Sequence, residues 1–573
     1  MNVSSTDTQG GVALLGDEAA ALGAIHSGLS AAYGYPGTPS TEILEDLIEK
    51  SAKGGFTAHW CSNEKTAMEA ALGVSFAGRR AMVTMKHVGL NVAADPFING
   101  ALLDINGGLV IAAADDPGMH SSQNEQDSRF YAAFAGVPCL EPRSQQEAYD
   151  MTREAFELSE KYHLPVLLRL VTRLAHARGA VLPGPARVPN QVSKIKDRSR
   201  WILLPAYARR NYLSLLEKQN DLEAWSESQG LNKLELENRD IRFAVITSGL
   251  GGNYYEENLE DLAASRGGTT PARLHIGSYP LPADLIHKIC EKAERVLVIE
   301  EGQPFIEERL RGILPCNLRI NGKLDGTVVR TGELDPDNVR QSLGLAPRPS
   351  VLDVIPKKRG VSGGNSLADF CSGTIQRPPQ LCQGCPHGDS FEAIKKAAAQ
   401  LDSAPDHPTV AINSDIGCYT LGASPPYSIP ESVVCMGASI GMARGAAEAG
   451  IRYAAAVIGD STFLHSGIPA LVDAVSARAP VTVIILDNTI VAMTGCQETI
   501  LPSARLRDLI LGTGVKNEHL LELEAKKQFL DENAEKLKKE LEYRGPSVVI
   551  FKRECLEAFR KRQKALKQAG GIQ

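Results

Sequence analysis

Short runs that are apolar throughout recur along the chain between stretches of helical periodicity. They are AMVTM at 81–85, LVIAAAD at 109–115, PVLLRLV at 165–171, FAVITSG at 243–249, VLVIEEG at 296–302, TVAINSD at 409–415, AAAVIGD at 454–460 and VTVIILDN at 481–488. A strand with one wet face alternates apolar and polar residues, whereas one covered by helices on both faces does not need to. The pattern therefore predicts an α/β fold built of parallel sheets. Three such blocks are expected, at about 11–185, 241–345 and 380–555. A polar, partly Pro/Arg-rich stretch at 186–240 and a Pro/Gly/Ser-rich one at 346–379 read as linkers, and 556–573 as a basic tail. Several runs end in a small or polar residue, Asp115, Gly249, Asp415, Asp460 or Asn488. Open α/β sheets place ligands at the carboxyl ends of their strands, so these ends are site candidates.

Composition narrows the field. The 573 residues carry 61 basic and 68 acidic side chains, a formal charge of -7, so no broad cationic surface suits a nucleic-acid backbone. The first residues lack the basic start and apolar run of a signal peptide, and no stretch approaches the ~20 apolar residues of a membrane span. A cytoplasmic enzyme is the expectation. Of eleven cysteines only Cys382 and Cys385 form a C-x-x-C pair. Without a second pair this reads as reduced thiols rather than a metal knuckle or a disulfide framework. Within the tail, Arg560, Lys561, Arg562, Lys564 and Lys567 suit a solvated helix or, alternatively, a docking element for an acidic partner.

The most informative constellation is Gly459-Asp460-Ser461 followed, at the end of the next apolar run, by Asp487-Asn488. A hard cation bridging two phosphates needs a few rigid oxygen ligands, and a carboxylate and an amide at neighbouring strand ends supply them. A helix expected at 466–478 makes the unit a βαβ crossover, which brings both strand ends out on one face. Either dipeptide alone would merely terminate a strand. Together they resemble the thiamine diphosphate signature, G-D-G followed some 30 residues later by an asparagine, with Ser461 in place of the second glycine. That resemblance implies Mg²⁺ held by Asp460, Asn488 and the Ile490 carbonyl. Upstream, Cys382-Gln383-Gly384-Cys385-Pro386-His387-Gly388, Asp415-Ile416-Gly417-Cys418 and Met436-Gly437-Ala438-Ser439 form turns whose N–H groups can face anions. Cys385, His387, Gly417, Cys418, Gly437, Ser439, Gly459 and Ser461 are the expected cofactor contacts.

Thiamine chemistry also needs a carboxyl group against the aminopyrimidine ring. Glu64, at the start of a helix (TAMEAALGVSFAG follows), is the candidate, its ordinary reading being a first-turn helix glutamate. Around it lie Gly34-Tyr35-Pro36-Gly37-Thr38-Pro39-Ser40-Thr41, then Lys86-His87-Val88-Gly89-Leu90-Asn91, then the run Asp115-Asp116-Pro117-Gly118-Met119-His120-Ser121-Ser122-Gln123-Asn124-Glu125-Gln126-Asp127. This succession closely resembles the catalytic subunits of the indolepyruvate:ferredoxin oxidoreductase family over 11–185 and 241–555. The resemblance implies that Glu64 activates the cofactor and that Thr38 lies near the 2-oxoacid. It makes His87 and His465 candidate proton-transfer groups, each equally well a structural histidine. The middle block resembles the family's transketolase C-terminal-like domain.

The family usually continues into a ferredoxin-like domain with two C-x-x-C-x-x-C-x-x-x-C runs. These residues contain no such run, so no iron–sulfur cluster is expected in them, and Cys496 stands where a histidine is expected. The expected reaction is oxidative decarboxylation of a 2-oxoacid such as indolepyruvate to an acyl-coenzyme A. Electrons would leave through a smaller subunit or a ferredoxin-like carrier, and the chain would form a homodimer within a hetero-oligomer. A non-oxidative decarboxylase or carboligase and a cofactor-binding inactive scaffold are the alternatives.

Overall fold

The computed structural model describes residues 11–193, 197–313, 318–348, 380–401, 410–433 and 435–568. The second expected linker falls mostly on 349–379, outside the described residues. The chain divides into two compact units, 1–359 and 360–573.

In the first unit the apolar runs become the interior of a seven-stranded sheet. Its order is Ser278–Tyr279, Cys139–Leu140, Val166–Val171, Leu109–Asp115, Ala81–Lys86, Ala31–Gly34 and Thr57–Trp60. All neighbours are parallel except the first pair, where a strand from the middle block adds antiparallel to the edge. A second sheet orders Arg319–Asn321, Arg295–Ile299, Arg239–Ser248, Thr270–Ile276 and Lys233–Glu235, parallel except for the last strand. The two N-terminal blocks share their cores: Leu140 and Val166 cluster with Val245 and Tyr255, while Phe97 and Leu167 cluster with Ile246 and Phe305.

The stretch expected as a linker at 186–240 holds a 24-residue helix, Pro205–Ser228. Its apolar residues are spread round the helix, with Tyr212, Leu213 and Leu216 exposed, which hides it from periodicity. Three buried anchors, Leu215, Leu222 and Trp225, hold it to the core. Burying a side chain of that size is worth roughly 1.5–3 kcal/mol, enough for a polar helix to stay docked.

A buried ion-pair network ties the first and middle blocks. Arg169 Nε meets Asp115 Oδ2 at 2.6 Å, its guanidinium also pairs with Glu141, and Arg129 pairs with Asp127 at 2.5 Å and Glu300 at 3.0 Å. The Tyr279 hydroxyl donates to Glu141 at 2.6 Å. Every carboxylate here has an arginine. Asp115, a site candidate by its position at a strand end, is thus a member of the core, fully buried and also bonded by Ser128.

The second unit is a six-stranded, wholly parallel sheet of order Ser432–Val433, Val410–Ser414, Tyr453–Gly459, Val481–Asp487, Ser547–Lys552 and Leu520–Glu524. Separate apolar clusters cover its two faces. The helix expected at 466–478 runs Ile468–Ser476 and is preceded by a wide π-helical turn, Phe463–Gly467, a distortion that often marks functional positions. The basic tail forms the helix Leu556–Gln568, and part of its charge is used locally. Lys561 donates to the Gly495 carbonyl at 2.7 Å and Arg562 pairs with Glu554 at 2.7 Å.

Candidate functional site

The register of the second sheet sets Gly459 beside Leu486, so that Asp460 and Asp487-Asn488 follow on adjacent strand ends. Asp460 is 6% exposed. Its Oδ1 accepts from the Ser461 N–H at 2.9 Å and its Oδ2 from the Thr489 N–H at 2.9 Å. Thr489 makes this possible by taking a left-handed φ of 69°, turning its N–H back toward both Asp460 and Asp487. Burial and the neighbouring Asp487 carboxylate together hold the Asp460 carboxyl well above its usual range. Among the described residues neither acid has an ion-pair partner. Two buried carboxylates beside an amide oxygen form a donor set that suits a hard divalent cation.

Asn488 links this pair to a cavity. Its Oδ1 accepts from the Ile490 N–H at 3.1 Å, which fixes the amide orientation, and its Nδ2 then lies 3.3 Å from His387 Nε2. His387 is buried, and desolvation lowers its pKa to about 4, so a neutral imidazole accepts from Asn488 and carries its proton on Nδ1. Cys385, His387, Cys418 and Asn488, four of the expected residues, line one cavity of about 210 Å³ together with Met493 and Cys555. Burial raises the Cys385 thiol to about 11 and that of Cys418 to about 12, which keeps both protonated at neutral pH. Ile490 opens a two-residue antiparallel ladder with Gln497–Glu498.

The expected glycines have packing reasons. A Cβ on Gly417 would stand 2.3 Å from the Tyr419 ring, and one on Gly459 would stand 2.6 Å from it. Tyr419 is wedged between them, its buried hydroxyl donating to Asp415. Gly437, at a φ of 83°, packs against Ser466, and the helix Ala438–Glu448 starts there. Ser439, one of the expected cofactor contacts, gives its hydroxyl to Asp415 at 2.6 Å, and its N–H lies 3.3 Å from the same oxygen. Burial raises the Asp415 carboxyl to about 6. Ser461 already lies in the helical turn after Asp460, so its backbone does not demand the second glycine of the signature. His465 is buried in the wide turn, its ring bonded to the Ser466 hydroxyl.

In the first unit Glu64 starts the helix Glu64–Phe76, whose cap is Asn63 accepting from the Thr66 N–H at 2.8 Å. The carboxyl is 5% exposed and lies flat on Gly89, where a Cβ would come 2.5 Å from Oε1. The glycine of the Lys86–Asn91 segment is therefore the floor under the carboxylate. On that same short helix His87 is buried with Nε2 3.3 Å from Asn124 Oδ1. Thr38 is half-buried, and its carbonyl accepts from the Ser121 hydroxyl at 3.2 Å.

Lys86 went unnoticed in the sequence. It ends a fully buried strand, its Cβ lies 3.1 Å from where a Cβ on Gly37 would stand, and its Nζ donates to the Ser121 carbonyl at 2.8 Å. Desolvation lowers its pKa to about 8, against the opposing pull of Asp116. A lysine closing an otherwise apolar strand is the signal that could have found it. Asp116 in turn accepts from the Ser121 N–H at 2.8 Å and the Ser122 hydroxyl at 2.5 Å, so the signature run folds back over Lys86 and Thr38.

Two family models match the chain, one in each unit. The family model described as pyruvate flavodoxin/ferredoxin oxidoreductase, thiamine diphosphate-binding, matches residues 22–200, and that of the thiamine pyrophosphate enzyme C-terminal binding domain matches 415–551. The indolepyruvate oxidoreductase subunit IorA of Methanothermobacter thermautotrophicus is 37% identical over 560 residues, covering 95% of this chain and 86% of that one. The IorA subunit of Archaeoglobus fulgidus is 37% identical over 565 residues, with the same coverage. That of Pyrococcus abyssi is 37% identical over 588 residues, covering 95% and 85%. No described helix is long and apolar enough to cross a membrane. With both thiamine-binding modules matched and identity sustained along almost the whole chain, the chain belongs to the indolepyruvate oxidoreductase IorA family of thiamine diphosphate-dependent 2-oxoacid oxidoreductases.

Proposed function

We propose that the chain catalyses oxidative decarboxylation of an arylpyruvate such as indolepyruvate to the acyl-coenzyme A, passing electrons to a ferredoxin-type carrier and working beside a smaller subunit. The observation that carries this reading is the buried Asp460 and Asp487 pair next to Asn488, which is short of positive charge and matched to Mg²⁺ bearing a diphosphate. Asp460, Asn488 and the Ile490 carbonyl would hold the metal, and the turns at Gly417, Gly437 and Gly459 would admit the diphosphate. When bound, thiamine diphosphate supplies an electron sink for the carbon left by CO₂. Cys385, His387 and Cys418 line the adjoining cavity. Glu64, held against Gly89, exchanges a proton with the aminopyrimidine. Lys86, beside Thr38, offers a cation to the 2-oxoacid carboxylate. His87 and His465 are assigned proton-holding roles.

An anaerobic assay with magnesium, thiamine diphosphate, coenzyme A and a viologen acceptor tests the reaction. Acyl-coenzyme A and reduced viologen are expected with indolepyruvate, at higher kcat/KM than with pyruvate or 2-oxoglutarate. Release of CO₂ and aldehyde without any acceptor would overturn the oxidative reading. Glu64→Gln is expected to keep cofactor affinity and lose turnover by roughly 10²–10⁴-fold, the usual worth of general acid–base help.

A further inference from the structure

A second carboxylate cluster lies in the first unit, built of residues not assigned above. Asp17 is the second residue of the helix Gly16–His26, Glu42 is the second of the helix Thr41–Ser51, and His176 is the last of the short helix Thr172–His176. Gly16 explains how they meet. A Cβ there would stand 2.3 Å from the Leu174 carbonyl oxygen, so only glycine lets the first helix close onto the segment bearing His176. One ligand atom each from Asp17, Glu42 and His176 lie within 4.8 Å of one another, the only such trio of His, Cys, Asp or Glu among the described residues.

Asp17 is fully buried, and neither of its carboxylate oxygens has a hydrogen-bond partner. Leaving a carboxylate dry and unpaired costs several kcal/mol in a protein interior, so such groups are paired, metal-bound or neutralised. Protonation with a hydrogen shared toward Glu42 would satisfy one oxygen and leave the other bare. Burial and the neighbouring Glu42 and Glu18 carboxylates hold the Asp17 carboxyl well above its usual range, and a bound cation would offset that crowding. His176 Nε2 faces Glu42 at 3.5 Å, and these two side chains are 36% and 37% exposed. The cluster thus has a dry floor and an open mouth.

We infer that Asp17, Glu42 and His176 form a binding site for a divalent transition cation, distinct from the Asp460 and Asn488 site. Two carboxylates balance a dication, and a mixed oxygen and imidazole set suits Mn²⁺, Fe²⁺ or Zn²⁺ better than Mg²⁺ or Ca²⁺. The remaining coordination positions at the mouth fall to water. Such an ion clips three helices together. It also braces the loop carrying Thr38, since Glu42 directly follows Thr41, whose hydroxyl accepts from the Gly37 N–H at 3.0 Å. The inference is independent of the reaction proposed above.

Mn²⁺ is the probe, because the chain's many thiols compete for Zn²⁺ but bind Mn²⁺ poorly. Full-length protein bearing Asp460→Ala, stripped with chelator and free of thiamine diphosphate, is titrated with Mn²⁺ while the signal of the free ion is followed by electron paramagnetic resonance. One ion bound per chain is expected, with at least tenfold weaker binding when Asp17→Asn or His176→Gln is added. Mn²⁺ should raise the melting temperature of the Asp460→Ala parent and leave both double variants unmoved. In metal-free buffer Asp17→Asn is expected to match or exceed the parent in stability, because it removes a buried carboxyl crowded by Glu42 and Glu18, which separates lost binding from lost fold. An unchanged titration after Asp17→Asn, or no Mn²⁺ bound by the parent, would overturn the site.

Discussion

Two groups of buried acids differ in how they are neutralised. Asp115, Asp127, Glu141 and Glu300 are interleaved with Arg129 and Arg169, and each guanidinium reaches more than one of them. Asp460 and Asp487 sit against each other and are met only by N–H and hydroxyl donors. The first group is complete within the chain, so its charges serve the fold. The second is short of positive charge, and a protein tolerates that where something else supplies the charge. Buried acidity therefore marks a site only when its counter-charges have been traced.

The sharpest way to break the contrast is to remove a counter-charge from the complete group. Arg169→Met strands Asp115 and Glu141, and breaking a buried pair from one side costs about 3–5 kcal/mol. Denaturant unfolding should show that loss, with low soluble yield. The matching change in the incomplete group should leave the fold alone. Asp460→Asn removes a like-charge contact, so metal-free stability should hold or rise, whereas Mg²⁺-dependent thiamine diphosphate affinity measured by calorimetry should fall roughly 100-fold, about 2.7 kcal/mol.

A smaller effect is expected at Lys86, which has a carboxylate neighbour in Asp116 and keeps its donors mainly for Ser121. Lys86→Met should raise KM for the 2-oxoacid roughly tenfold or more, the worth of a charge-assisted hydrogen bond. Since the folded lysine titrates near pH about 8, it is charged below that pH. KM of the parent should climb as pH passes upward through about 8, and this step should vanish in the variant. The stability sign is separate. A folded pKa lowered from 10.5 means that the unfolded chain binds the proton more tightly, so this group's destabilising contribution fades as pH rises from about 8 towards 10.5. The smallest change is Ser461→Gly. It restores the usual signature, yet position 461 is already helical, so stability should drop by at most ~1 kcal/mol and cofactor affinity should stay within about twofold.

How much of this was legible beforehand depended on burial. All eight apolar runs are strands, because a strand covered on both faces has no wet side on which to interrupt the pattern. The pairing of Asp460 with Asn488 followed from chain connectivity alone, since a βαβ crossover fixes on which edge its strand ends emerge. The helix Pro205–Ser228 was missed because three anchors suffice to hold it, and its other apolar residues, such as Leu213 and Leu216, are exposed rather than lined up on one face. Asp115 looked like a site residue because its partners Arg169 and Ser128 lie 54 and 13 residues away, and a sequence does not display such pairings. The bond from the Ser439 hydroxyl to Asp415, 24 residues upstream, was hidden for the same reason.

Tyr419, held between Gly417 and Gly459, makes three positions one steric locus. An alanine at 459 would press on the ring, and the ring cannot retreat without meeting the backbone at 417 or leaving Asp415. A side chain at either glycine is therefore tolerated best once the ring at 419 has been cut back, so the three positions respond to substitution as one.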